Sequence, residues 1–253
     1  MPFEIHGPQA SIYKSAILQL RNGEITEGWK HTTSSINARV LYNSKLKIYY
    51  KEFLSRNAFE IVKAMVRGSR CYRARKQGEL LTVAGFNTPT CVCWGKLASG
   101  SEFMITEAST ATGVTQYIRQ HLNLNKSPRG LATKRKLLRK LGQTIGKLHQ
   151  YGIVHGDLRT SNILTNRCDE EFLFCLIDNE RNSRHRIIPL KLVKKNLVQL
   201  NMLLPTDITR GDRWRFFSSY IGSYERFSER SAKQLAIEVY QIAMGRLSKK
   251  GKL

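Results

Sequence analysis

Asp157, Asn162 and Asp178 are the residues of this 253-residue chain whose types and spacing could do chemistry. The first two belong to His155-Gly156-Asp157-Leu158-Arg159-Thr160-Ser161-Asn162, and the third closes the apolar run Phe172 to Ile177. A carboxylate and an amide so close together, followed by a second carboxylate, suit phosphoryl transfer. One carboxylate sits beside an attacking hydroxyl, and further oxygens hold Mg2+ between the phosphates of a nucleotide. On this reading Asp157 serves the hydroxyl, with His155 and Arg159 grouped with it as the catalytic set. Asn162 and Asp178 are then the metal ligands.

The tripeptide His-Gly-Asp alone is a weak sign, matched by any polar turn between a helix and a strand. The apolar pairs Ile153-Val154 and Ile163-Leu164 on either side give the fuller layout of a kinase catalytic loop followed by its metal-binding Asp. Before the loop, Leu137, Leu141, Ile145 and Leu148 recur at helical period, with Lys134, Arg135, Lys136, Arg139 and Lys140 filling the other positions. Beyond Asp178 three more helical stretches are expected, Leu190 to Leu204, Asp212 to Ile221 and Ser228 to Leu247, separated by turns holding Pro205 and Gly222.

The first half of the chain reads differently. From Ile12 to Tyr50 the pattern is strand-like and broken by polar turns, which predicts an antiparallel sheet. A nucleotide-covering hairpin would lie around Lys30 to Ala38, where Thr32-Thr33-Ser34-Ser35 stands in place of a glycine-rich loop. A kinase also needs a strand lysine on the ATP phosphates. Lys45, Lys47 and Lys51 share parity, and Lys51 is preferred because Tyr49, Tyr50 and Phe53 surround it, the alternative being a solvated edge lysine. Phe59 to Val66 and Tyr72 to Val83 are expected to be helical, with Glu60 and Glu79 as the acids available to Lys51, and Ala84 to Pro89 ends the second helix. Cys91 to Gly95 and Glu102 to Glu107 predict a hairpin. The change of apolar period after it places a β-rich N-lobe over residues 1–106, a hinge over 107–113 and a helical C-lobe over 114–253. Glu107 and its neighbours are the candidates to line an adenine pocket. The fold class expected is α+β, two-lobed and kinase-like.

Charge narrows the partner. Lys and Arg number 42 against 19 Asp and Glu, a net +23, which points to nucleic acid, an anionic membrane surface or a polyanionic substrate. The five cysteines have no C-x-x-C spacing, so free thiols in a reducing compartment are expected. The first residues lack the basic and apolar regions of a secretory leader, and no apolar run is long enough to span a bilayer.

Together these residues resemble the lipopolysaccharide core kinases, the bacterial family that phosphorylates Kdo or heptose sugars. The resemblance runs from about Tyr49 to about Tyr220. Its marks are Lys51-Glu52-Phe53, Gly68-Ser69-Arg70, Arg73-Ala74-Arg75, Gly85 to Pro89, the loop His155 to Leu164, and Leu176 to Arg181. Lys195 to Asn201 and Thr209 to Phe217, which ordinary kinases do not carry, complete the set. The resemblance implies a compact protein-kinase-like fold, ATP and Mg2+ as cofactors, and a sugar hydroxyl of the lipopolysaccharide precursor as acceptor. It also implies work at the cytoplasmic face of the inner membrane, on an anionic surface, with no specific nucleic acid as partner. Asp178-Asn179-Glu180 replaces the D-F-G of protein kinases and no A-P-E follows before Leu190, so a long phosphorylation-regulated loop is not expected. Asn179, Glu180 and Arg181 are read either as contacting substrate or bracing the loop, or as a surface salt bridge.

Three rivals remain. A small Ser/Thr protein kinase would share the loop but carry D-F-G. An antibiotic phosphotransferase needs an acidic acceptor site, against the basic majority after Asp178. A non-enzymatic binder of anionic lipid or nucleic acid would use the charge and leave the spacing of Asp157, Asn162 and Asp178 unexplained.

Overall fold

The computed structural model describes residues 3–20, 25, 27–32, 37–54, 66–123 and 127–253. The chain divides into two compact units, Met1–Leu81 with Thr88–Ser109, and Thr82–Asn87 with Thr110–Leu253.

The first unit opens with β1 (Glu4–His6) and α1 (Ala10–Leu20), then β2 (Trp29–His31), β3 (Ala38–Asn43) and β4 (Ile48–Phe53). After α2 (Arg70–Val83), whose last residues belong to the second unit, come β5 (Cys91–Lys96) and β6 (Glu102–Glu107). The strands form an antiparallel sheet in the order β1-β5-β6-β4-β3-β2. One face of β4 presents Ile48 and Tyr50 to a core shared with Leu41, Phe103 and Ile105, onto which α1 packs Tyr13, Ile17 and Leu20. That helix corrects the expectation of strands throughout Ile12 to Tyr50. Tyr13, Ile17 and Leu20 are spaced to share one helical face and are the buried residues of α1, and this short stripe is outweighed in the sequence by the polar residues between them. On the opposite face Phe53 packs with Cys71 and Ala74 of α2. The β4 strand also starts later than expected. Asn43 Oδ1 accepts the amides of Lys45 and Leu46, and Lys47 takes φ 53°, so a side-chain-held turn occupies residues 44–47 and of the three lysines Lys51 alone stands on β4.

The turn residues 33–36 of the expected covering hairpin, and the helix expected over Phe59 to Val66 up to residue 65, lie outside the described residues; β2 and β3, which flank that turn, pair antiparallel.

In the second unit, β7 (Thr112–Gly113) leads into α3 (Val114–Tyr117) and a π-helical turn, Ile118–Leu122. The long α4 (Pro128–Gln150) follows, capped by Ser127, whose hydroxyl accepts the Gly130 amide. Then come β8 (Ile153–Val154), β9 (Ile163–Cys168), β10 (Glu171–Leu176), β11 (Ser183–Arg184), α5 (Leu190–Leu200), α6 (Arg210–Ile221) and α7 (Glu229–Ser248). The strands form two small sheets, β10-β9-β7 and β11-β8. Thr82–Asn87 sorts with this unit because Asn87 bridges to Cys175 and its carbonyl accepts the Leu176 amide.

Leu137, Leu141, Ile145 and Leu148 of α4 are all buried, as their period requires. Lys134, one of the cations that fill the other positions of α4, does not lie in solvent. It is buried, donates to Asn123 Oδ1 at 2.9 Å and to the Asp207 carbonyl at 2.5 Å, and lies 3.8 Å from the Asp212 carboxylate. Asp212 in turn completes a reciprocal cap with Thr209 at the start of α6. The α4 and α6 backbones meet at Gly142 and Gly146, where an added Cβ would collide with the carbonyl oxygens of Phe216 and Tyr220.

Candidate active site

The loop that carries Asp157 starts where α4 ends, and buried polar groups hold it. His155 is fully buried. Its Nδ1 accepts the Asp157 amide at 3.1 Å, and its Nε2 lies 3.0 Å from the Ile177 carbonyl, which makes Nε2 the protonated nitrogen. Burial depresses its pKa below the ordinary histidine value, and both ring nitrogens are spent on backbone groups. Asn196 of α5 straddles the same residue, its Oδ1 3.2 Å from the His155 amide and its Nδ2 2.7 Å from the His155 carbonyl. Behind it His149 contacts Asn196 Oδ1 through Nε2 and Tyr220 through Nδ1, at 3.2 and 2.9 Å.

Three donors hold the Asp157 carboxylate. Gln199 Nε2 donates to Oδ1 at 2.9 Å. Arg159 Nε stands 2.9 Å from the same oxygen, its side chain 67% exposed. Asn162 Nδ2 approaches Oδ2 at 3.4 Å and donates to the Asp157 carbonyl at 2.9 Å. A carboxylate so bound is fixed in orientation.

The same Asn162 bonds turn its Nδ2 toward Asp157, which leaves the amide oxygen as its other polar end. Its backbone carbonyl accepts the Ile177 amide at 3.0 Å, tying it to the residue just before Asp178. Asp178 has a left-handed backbone, φ 62° and ψ 47°, uncommon outside glycine, Asn and Asp. An amide oxygen and a carboxylate make a hard oxygen set. Among the described residues no cluster of three or more His, Cys, Asp or Glu could hold an ion alone. That donor set fits Mg2+, which binds through few protein oxygens and takes the rest from water and phosphate.

Of the alternatives for Asn179 to Arg181, the structure shows bracing by Asn179. Asn179 is buried and donates to the Leu176 carbonyl at 2.9 Å, Asn182 donates to Asn179 at 3.1 Å, and Asn182 Oδ1 accepts the Gly156 amide at 3.1 Å. Glu180 is buried too, 3.7 Å from the exposed Arg181 guanidinium, so the pair is not a fully solvated surface bridge. The backbone of Arg181 passes so close to Gly156 that a Cβ there would overlap it, which explains glycine between His155 and Asp157.

In the other unit Lys51 is not an edge lysine. It lies on β4 opposite Val40 of β3 and Met104 of β6, with its Nζ 5.3 Å from the Phe53 ring centroid. Glu79 is exposed on α2, and a nearby group it acts on is the Cys91 thiol. Glu60 lies outside the described residues. The Glu107 amide donates to the Thr90 carbonyl at 2.9 Å and the Ala108 amide to the Lys47 carbonyl at 2.8 Å, so neither amide is available to an adenine ring.

Asn182, Asn196 and Gln199 bond the Asp157 loop, and the search for acids and lysines passed over them. Asn196 and Gln199 lie within the Lys195 to Asn201 segment, and their separation by three positions sets both amides on one face of α5. A polar pair recurring at helical spacing inside an otherwise apolar face was the available signal.

A further cavity of about 620 Å3 lies in the helical unit, lined mainly by apolar side chains including Leu141, Leu200, Phe217 and Val239, by Thr160 of the loop, and by Arg210, Arg213 and Lys233.

The model of the lipopolysaccharide kinase (Kdo/WaaP) family matches residues 17–220. Among solved structures, WaaP in complex with acyl carrier protein superposes with a TM-score of 0.65 at 19% identity, covering 97% of this chain and 99% of that one. The bifunctional kinase-methyltransferase WbdD superposes with a TM-score of 0.52 at 16% identity, over 86% of this chain and 47% of that one. These likenesses establish a shared fold. Curated relatives match over short stretches: the KEOPS complex subunit Bud32 of Pyrococcus abyssi (strain GE5 / Orsay) at 39% identity over 61 residues, 24% of this chain and 28% of that protein. The EKC/KEOPS complex subunit BUD32 of Coccidioides immitis (strain RS) matches at 57% over 30 residues, 12% of this chain and 10% of that protein. Both matches thus span well under a third of the relatives' lengths. With a family model matching most of its length, the chain belongs to the lipopolysaccharide kinase (Kdo/WaaP) family.

Proposed function

We propose that this protein transfers the γ-phosphoryl group of ATP, with Mg2+, to a hydroxyl of Kdo or heptose in the inner core of a lipopolysaccharide precursor. The observation that carries this reading is the Asp157 carboxylate held at once by Gln199, Arg159 and Asn162. Asp157 accepts the proton of the attacking hydroxyl, and Arg159 balances charge beside it. His155 fixes the loop through its two backbone bonds rather than exchanging a proton with substrate. Asn162 Oδ1 and Asp178 are the ligands for Mg2+, which when bound neutralises charge on the phosphates. Lys51 is assigned to the nucleotide phosphates. The adenine is assigned to the segment at Glu107, through groups other than the two committed amides. The lobe boundaries at 1–106, 107–113 and 114–253 belong to the same reading.

Incubation with labelled ATP, Mg2+ and lipopolysaccharide precursor, casein, an aminoglycoside or no acceptor tests it. Label entering the precursor alone is expected; label entering casein alone would replace the reading with a protein kinase.

No helix among the described residues is long and apolar enough to cross a membrane. The net charge of +23 supports attachment to the anionic cytoplasmic face of the inner membrane. Four well-placed cations at about 1 kcal/mol each would give roughly a thousandfold in partitioning. Sedimentation with anionic liposomes should therefore weaken as salt rises, and binding indifferent to salt would contradict it. The apolar cavity favours one more partner. The WaaP neighbour was solved with acyl carrier protein, and we propose that an acyl chain enters the cavity beside Thr160 here. Mass spectrometry of the purified protein for bound acyl species tests this, and a Leu200→Trp variant that retains them would refute it.

A further inference from the structure

We propose that Gln199 is a positioning residue for phosphoryl transfer, whose amide sets the direction of the Asp157 carboxylate. The inference rests on the kinase reading of Asp157. Gln199 is bonded at both ends of its amide. Its Nε2 donates to Asp157 Oδ1 at 2.9 Å, while its Oε1 accepts the Leu158 amide at 3.1 Å and Asn196 Nδ2 at 3.2 Å. An amide held by two donors at its oxygen has no freedom to flip, so the nitrogen must face Asp157.

The other groups around Asp157 hold it less firmly. Arg159 reaches the same oxygen from a side chain 67% exposed, and a long exposed cation restrains geometry weakly. The Asn162 contact with the carboxylate is long at 3.4 Å. Lys195 is exposed and bonds the Gly156 carbonyl at 3.1 Å rather than the carboxylate. Gln199, in contrast, rises from a helix whose Val193, Leu197, Val198 and Leu200 are buried, one turn beyond the Asn196 amide that clasps His155. It is the donor to Asp157 that combines a short bond with a fixed base. An acceptor hydroxyl must meet the remaining Asp157 oxygen in line with the phosphoryl group, so a rotated carboxylate loses rate without losing nucleotide.

Two substitutions separate this role from simple support of the loop. Gln199→Glu keeps an oxygen for the Leu158 and Asn196 donors but sets a second carboxylate oxygen against Asp157. Gln199→Met removes both functions. If Gln199 only supported the loop, Gln199→Glu would be the milder change. The positioning role predicts that it folds with a near wild-type melting temperature and lowers kcat by about 30- to 100-fold, the scale of a misplacement near 1 Å. Its KM for ATP should stay within about twofold. On an Asp157→Asn background the same change should add less than about threefold, because the group it orients is already gone.

A kcat within about threefold of wild type, or a loss that multiplies in full on the Asp157→Asn background, overturns the proposal. The crystal structure of Gln199→Glu reads it independently of the acceptor. An Asp157 carboxylate rotated from its wild-type direction supports the inference, and an unmoved one rejects it. Absence of transfer to any acceptor by the wild type would instead count against the kinase reading itself.

Discussion

The two units hold their candidate groups by different physics. In the helical unit the groups around Asp157 are fixed by side-chain amides and an imidazole, each of which must present a particular donor or acceptor: His155, Asn162, Asn182, Asn196 and Gln199. In the β-rich unit Lys51 is fixed by ladder pairing with Val40 and Met104 and by packing near Phe53. Any residue of suitable shape satisfies a ladder, whereas a buried polar network tolerates few substitutions because an unpaired member costs about 1 to 3 kcal/mol. Sequence motifs therefore concentrate in the helical unit.

The largest effect that could break this comparison is at the two aspartates. Asp157→Asn should keep Mg-ATP affinity but reduce single-turnover transfer by about a thousandfold, in the range of losses seen when a group acting in the transition state is removed. Asp178→Asn should weaken Mg-nucleotide binding itself, since a hard cation loses an anionic ligand. Nucleotide titrations with and without Mg2+ separate the two, and normal Mg-ATP binding by the Asp178 variant would remove it from the metal site.

Next is Lys51→Met, expected to cost about a hundredfold in transfer because the phosphates lose their alignment. Lys47→Met, in the turn before β4, should cost little. Rates in the reverse order would move the phosphate-binding lysine.

The polar network gives the helical unit an acid sensitivity. Burial pushes the His149 pKa from 6.5 down to about 4. The unfolded chain therefore binds a proton below pH 6.5 that the folded one refuses, and the stability His149 confers is full above pH 6.5 and lost as pH falls toward 4. The loss is on the order of 3 kcal/mol. His155 shifts in the same direction. Thermal melts at pH 7 and pH 5 should show a drop that His149→Gln reduces in part; equal drops in both proteins would discount His149.

The smallest effect is expected at Glu79→Gln. An exposed acid on α2 should change kcat/KM by less than about threefold, and a large loss would mark Glu79 as the partner of Lys51.

How far the molecule was legible in its sequence follows the same divide. The Asp157 loop, the α4 stripe and the β5-β6 hairpin were readable because each repeats a pattern its geometry demands. The α1 helix was not, because Tyr13, Ile17 and Leu20 give too short a stripe to outweigh the strand-like run that follows. The burial of Lys134 was not legible, because a buried ammonium is visible only once Asn123, Asp207 and Asp212 are known to converge on it. Gln199 was marked only as part of the Lys195 to Asn201 segment, since a neutral amide gives no sign in sequence of the carboxylate it will face.

The meeting of α4 and α6 at Gly142 and Gly146 bears on how this protein comes apart. Helices that touch through their backbones have no intervening side chains to loosen one at a time, so each can open only by parting from the other along its length. Their amide hydrogens should consequently exchange with solvent as one block, at a single opening free energy. Since the Asp157 loop departs from the end of α4, and His149 on its last turn is bonded to Tyr220 of α6, any excursion that opens the block dismantles the site in the same event. The working geometry of Asp157 should thus persist as long as that helix pair does.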